Sequence, residues 1–135
     1  MRAIKRAVIS AIGSIFLFGS ASALEMKGAQ IKALISGKSV YLENIKPSAG
    51  DPGRGVIYFA EDGKALRKNP SGTTYHGTWT IKGDAGCVEW KELRGLRCSR
   101  YDKQGTTIVL FNDPKGLPRS KIAKIVPGNA EKLGP

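Results

Sequence analysis

Residues 75–90, YHGTWTIKGDAGCVEW, hold the only histidine of the chain (His76), both tryptophans (Trp79 and Trp90), the thiol of Cys87 and the carboxylates of Asp84 and Glu89. The chemistry to test first is nucleophilic. A Cys–His pair needs an unpaired thiol within reach of the imidazole and a third group that orients the ring. Alternation over 75–81 places Tyr75, Gly77, Trp79 and Ile81 on one face and His76, Thr78 and Thr80 on the other. His76 therefore points to solvent or a polar lumen. The second cysteine, Cys98, is available to pair with Cys87, and a disulfide removes the nucleophile. The stretch reads as core plus covalent staple, and no enzymatic activity is expected from it.

Other chemistries find less support. One histidine and two paired cysteines cannot supply the three or four ligands of a zinc site, so no metal is expected. The tripeptide at Gly37–Ser39 ends like a phosphate loop, but Lys32 stands where the first glycine belongs. GDPGRG, residues 50–55, lacks the strand-to-helix context of a phosphate cradle and reads as a plain surface loop. Glu61 and Asp62 sit in a turn, which leaves no carboxylate pair for glycoside chemistry. No cofactor is indicated.

The elements that must position these residues are mostly strands. MKGAQIKALISGKS sets Ile31, Leu34 and Ile35 on one helical stripe, with Gly37 placed to end the helix. Beyond it the period falls to two. Strands are expected at 39–45, 56–60, near 65–68, and at 75–81, 87–90, 97–101, 106–111 and 121–126, each bounded by Gly, Pro, Asp or Asn. This predicts a mainly β domain, a small antiparallel meander closed as a barrel or folded as a sandwich. Tyr58, Phe59, Trp79 and Trp90 are its expected core, and residues 126–135 an expected frayed tail.

Facing Cys87 with Cys98 centres a turn between Glu92 and Leu93, sets Arg97 opposite Val88, and lays Trp90 over Gly95. Alternation then puts the cystine on the face away from Val88 and Trp90, which calls for a bulge or a two-faced core.

The N-terminus carries an export signature. Arg2, Lys5 and Arg6 precede an uncharged apolar run, and Ala21-Ser22-Ala23 supplies a small-x-small cleavage site. Residues 1–23 are thus expected to be removed, leaving a single domain over 24–135, periplasmic or secreted and without a membrane span. The leader holds three of the 22 Lys and Arg and none of the 11 Asp and Glu, so the remainder carries about +8. The charge is uneven: Lys91–Lys124 holds nine basic residues against Glu92, Asp102 and Asp113. Arg94, Arg97, Arg100, Lys103, Arg119, Lys121 and Lys124 are the candidate anion contacts, beside the plainer reading of a solvated face. Tyr101 and Phe111 lie among these bases, but an exported protein meets little nucleic acid.

Tyr58, Phe59, Asp62 and Gly63, the Gly77-Thr78-Trp79 strand, Cys87, Trp90, Cys98 and the closing Pro127-Gly128-Asn129 together resemble a group of short exported α-proteobacterial proteins of unknown function. That resemblance takes in most of the chain beyond residue 23. It implies a periplasmic location and a β-rich fold, and brings no catalytic residue. The expected function is a non-enzymatic binding or accessory module. Its partner is a small ligand or an anionic envelope component, the latter met by the basic surface.

Overall fold

The computed structural model describes residues 24–134. The expected export signal, residues 1–23, lies outside them. Its elements in chain order are β1 (Leu24–Glu25), α1 (Gly28–Ile35), β2 (Lys38–Glu43), β3 (Gly55–Phe59), β4 (Lys64–Lys68), β5 (Thr74–Lys82), β6 (Ala85–Trp90), β7 (Leu96–Gln104), β8 (Thr107–Asn112) and β9 (Pro118–Pro127). Strands β2 to β9 form an antiparallel meander, and β9 returns to pair with β2. The result is a closed eight-stranded barrel with one short helix. β1 adds two residues beside β7.

Alternation decides what fills the barrel. Val40, Leu42, Ile57, Phe59, Ala65, Trp79, Val88, Trp90, Tyr101 and Leu110 point inward and form one buried cluster. Phe59 and Trp79 meet edge to face at 5.5 Å, and the indole N–H of Trp79 donates to the Ala60 carbonyl at 2.7 Å. Tyr58 departs from expectation. It alternates outward with Val56 and is only half-buried, outside the cluster.

Ile31 and Ile35 of α1 are fully buried against this cluster, so the helix closes one pole of the barrel. Asp84 in the β5–β6 turn holds the helix start by accepting from the Gly28 N–H at 2.8 Å. Gly28 packs so tightly there that a Cβ would lie 2.2 Å from the Gly83 carbonyl oxygen.

The cystine falls in the expected register, with Cys87 opposite Cys98 and Val88 opposite Arg97. No bulge is needed at this point. A barrel wall has two faces, and the cystine occupies the outer one while Val88 and Trp90 occupy the inner. The indole of Trp90 does not cover Gly95. It lies over Gly77 on the other neighbouring strand, 3.0 Å from where a Cβ would stand. Breaking the staple with Cys98→Ser should lower stability by about 2–3 kcal/mol, because it frees a loop of this length in the unfolded chain. Urea unfolding of the oxidised protein and the variant checks this.

The tail is not frayed. Gly128 N–H donates to the Gly37 carbonyl at 2.8 Å, and Ser39 Oγ donates to the Gly128 carbonyl at 2.7 Å and accepts from Ala130 N–H at 3.0 Å. The Asn129 side chain donates to the Leu133 carbonyl at 2.7 Å and accepts from the Leu133 N–H at 2.9 Å, and Tyr41 Oη donates to Glu131 at 2.7 Å. That last bond holds the Tyr41 proton and raises the phenol above its ordinary pKa.

Candidate anion-binding site

The chemistry-bearing residues of 75–90 are dispersed by the fold. Cys87 is covalently paired. His76 lies on the outer wall, where its Nδ1 meets Glu92 at 2.8 Å and its backbone N–H donates to the same carboxylate at 2.9 Å. These bonds lower the Glu92 pKa. Asp84 serves the helix, and Glu89 is exposed on the outer wall. Among the described residues no three His, Cys, Asp or Glu side chains gather as metal ligands would.

The seven basic candidates do not form one patch. Arg100 is on the outer wall, bonded to Glu25 at 2.6 Å and Asp113 at 3.1 Å. Lys121 faces Glu43 at 3.8 Å, and the Lys124 ammonium stands 4.6 Å over the Tyr41 ring. Lys103 is exposed beside β1, and Arg94 is exposed in the β6–β7 turn. Only Arg97 and Arg119 come together, at the pole opposite α1.

Two arginines that sequence reasoning passed over join them. The β2–β3 loop delivers Arg54, held by its N–H to the Leu42 carbonyl at 2.9 Å, and β4 delivers Arg67. All four line the open mouth of the barrel interior. Each position has a local cause. Arg67 shares the inward parity of Ala65, and Arg97 that of Val88 opposite it. Arg119 has no strand partner: Leu110 pairs with Ser120 and Phe111 with Pro118, so a β-bulge leaves Arg119 between them and turns it inward. Alternation already puts Arg67 in step with the core residue Ala65, which was the signal available. Arg54 carries no such signal, since the eleven-residue loop 44–54 has no period.

The four are differently held. Arg67 Nε donates to Asn69 Oδ1 at 3.0 Å and its Nη2 to the Arg54 carbonyl at 2.9 Å. Arg54 Nη1 donates to Asn44 Oδ1 at 3.1 Å, and Asn44 donates in turn to Asp51 at 2.8 Å. Among the described residues, no hydrogen bond or ion pair holds the guanidinium of Arg97 or Arg119. No carboxylate lines the interior beneath them. Burial, and then the charges of the neighbouring arginines, push the pKa of Arg67 and Arg119 down. The floor is aromatic: Phe59, Trp79, Trp90 and the buried Tyr101, whose phenol burial pushes far up. Ser99 and Ser120 add hydroxyls to the walls.

The enclosed space is about 80 Å³. That admits several waters or one small anion, and neither an acyl chain nor a ring-sized cofactor. Comparison with protein-family models, curated proteins and solved structures yields a plain result. Nothing matches. The reading of this mouth therefore rests on its own chemistry, which is that of a positive site with many donors, no carboxylate in its lining and a low-dielectric floor.

The loops around it respond to pH. Bonds from Asn44 and from the Gly53 N–H lower the Asp51 pKa, as those from His76 lower that of Glu92. Both contributions are complete above the unfolded carboxylate values of 3.8 and 4.5 and are lost as pH falls through the lower folded values. Amide exchange in 44–54 and 91–95 should rise below about pH 4 before the barrel unfolds. Asp51→Asn and Glu92→Gln should remove that early step.

Proposed function

We propose that the protein is a non-catalytic binding module of an extracytoplasmic compartment, and that its ligand is an anion held by the arginines at the barrel mouth. The observation that carries this reading is the convergence of Arg54, Arg67, Arg97 and Arg119 with no carboxylate among them. A chain gains nothing in stability by crowding like charges, so their placement has its reason in what they bind. The location rests on two supports: the leader of residues 1–23 and a cystine, which persists in oxidising compartments. The likeness to exported proteins of α-proteobacteria agrees with both.

The other reading is a diffuse basic surface that attracts any polyanion through net charge alone. The disposition of the charges favours the mouth, since Arg100 and Lys121 on the outer wall are already paired with carboxylates. Titration of the oxidised protein with inorganic phosphate and with sulfate, read by calorimetry, separates the two. The Arg97→Ala/Arg119→Ala pair should weaken binding at least tenfold, and the Arg100→Ala/Lys121→Ala pair, which removes equal charge, by less than threefold. Equal losses in the two pairs would leave only the diffuse surface.

A further inference from the structure

The rim of the mouth carries a second feature. Three large apolar side chains are conspicuously exposed among the described residues, Leu24, Leu96 and Leu117, and two of them flank the arginines. Leu96 is 45 % exposed and directly precedes Arg97; Leu117 is 86 % exposed and stands two residues before Arg119. Isolated exposed leucines are ordinary. Here their company is not: Leu96 lines a shallow depression with Arg97, Cys98, Asn112, Asp113 and Arg119, and Leu117 belongs to the loop that begins at Asp113.

The loop that carries Leu117 is anchored at two earlier residues. That loop, 113–117, is pinned to the barrel where the Lys115 ammonium donates to the buried Asp102 at 2.6 Å and covers the Phe111 ring at 4.5 Å. Arg100 holds the loop's first residue, Asp113, at 3.1 Å. The loops around the mouth add Lys46, Lys91 and Arg94, all exposed. The same loops carry three carboxylates, each with a partner: Asp51 with Asn44, Glu92 with His76 and Asp113 with Arg100. Seven cations against three carboxylates leave the pole positive, with two exposed leucines in the same region.

We propose that this pole docks on an anionic lipid surface, with Arg97 and Arg119 binding a headgroup phosphate and Leu96 and Leu117 entering the acyl boundary beside it. The inference rests on the anion site described above and names the source of its anion. A soluble phosphate has no use for exposed leucines, whereas a bilayer offers both phosphates and hydrocarbon within a few ångströms. The small cavity agrees, because it admits a phosphate group and excludes the tails, which stay in the membrane. Basic residues at such a surface each contribute about fivefold in affinity, and each inserted leucine about tenfold.

The test uses Leu117→Trp in the oxidised protein, with vesicles of phosphatidylcholine alone or with one third phosphatidylglycerol. Trp79 and Trp90 are buried and serve as a constant background. Anionic vesicles should shift the new indole's emission to the blue and expose it to quenching by acyl-brominated lipid; neutral vesicles should do neither. Adding Arg97→Ala/Arg119→Ala should abolish both signals. Because the probe reports at position 117, residues 1–23 do not enter the readout. No quenching, or quenching that survives loss of the two arginines, would overturn the inference. If inorganic phosphate still binds through Arg97 and Arg119 while the vesicles give no signal, the anion site stands and its ligand is soluble. If neither binds, both readings fall.

Discussion

Arg119→Met should make the barrel more stable and its mouth nearly blind to anions. The arginine is half-buried on a bulge, and its pKa is depressed first by burial and then by Arg54 and Arg97. For a basic group, a folded pKa below the unfolded one means that the charged form opposes folding. The cost is present at every pH below the depressed value, and for a guanidinium that covers all working conditions. Methionine keeps much of the side-chain volume without the charge. Solvent at the open mouth screens the repulsion, so the gain is modest: about 0.5–1 kcal/mol, or about 3–6 °C in Tm for a domain of this size. Added salt should shrink the difference, since ions then screen the cluster in the parent protein. The ligand effect is larger and opposite in sense. An anion at a hundred times its Kd stabilises the parent by about 2.7 kcal/mol, and most of that should vanish in the variant. Thermal unfolding in low salt, with and without phosphate, reads both. A lower Tm for Arg119→Met would mean that the side chain supports the Tyr101 wall rather than a ligand.

Trp79→Ala should cost the protein a large part of its stability. Trp79 is 8 % exposed, packs edge to face on Phe59, and satisfies the Ala60 carbonyl. Removing a buried tryptophan costs about 3–5 kcal/mol; the Ala60 carbonyl keeps the Gly63 N–H at 3.0 Å, so the loss is one of packing. Total stabilities of such domains are about 5–15 kcal/mol, so a third or more of the stability of a typical domain is lost, and nearly all of it at the lower end of that range. Trp79→Phe keeps an aromatic ring against Phe59 and loses the N–H and some volume; about half the cost is expected. His76→Ala, three residues away on the outer wall, should stay within about 0.5 kcal/mol of the parent. Urea unfolding of the three variants therefore reports directly on which half of YHGTWTIKGDAGCVEW holds the fold.

What could be read from the sequence was whatever local alternation governs. The eight strands, the helical stripe of Ile31 and Ile35, and the cystine register all depend on spacings of a few residues. The choice of barrel over sandwich depended on β9 returning to β2 across eighty residues, which no window contains. The same non-local closure decided the site. Arg54, Arg67, Arg97 and Arg119 are scattered over sixty-five positions, and they meet because an antiparallel barrel sends every second strand end to the same pole. A run of bases over Lys91–Lys124 was visible, yet four of its candidates, Arg100, Lys103, Lys121 and Lys124, alternate or turn away from that pole. The tail looked polar and short of apolar anchors. Its order comes from backbone and hydroxyl bonds centred on Ser39, which leave no trace in hydropathy.

The chain enters the barrel by laying β1 along the far end of β7 and leaves β9 beside Lys38, so both passages lie at the helix-sealed pole. A tether or fusion partner attached ahead of β1 would hold the molecule near its sealed base, with the arginine mouth at the far end. The segment after β9 instead turns back along the outer wall, where Glu131 meets Tyr41, so attachment at that end would hold the molecule by its side.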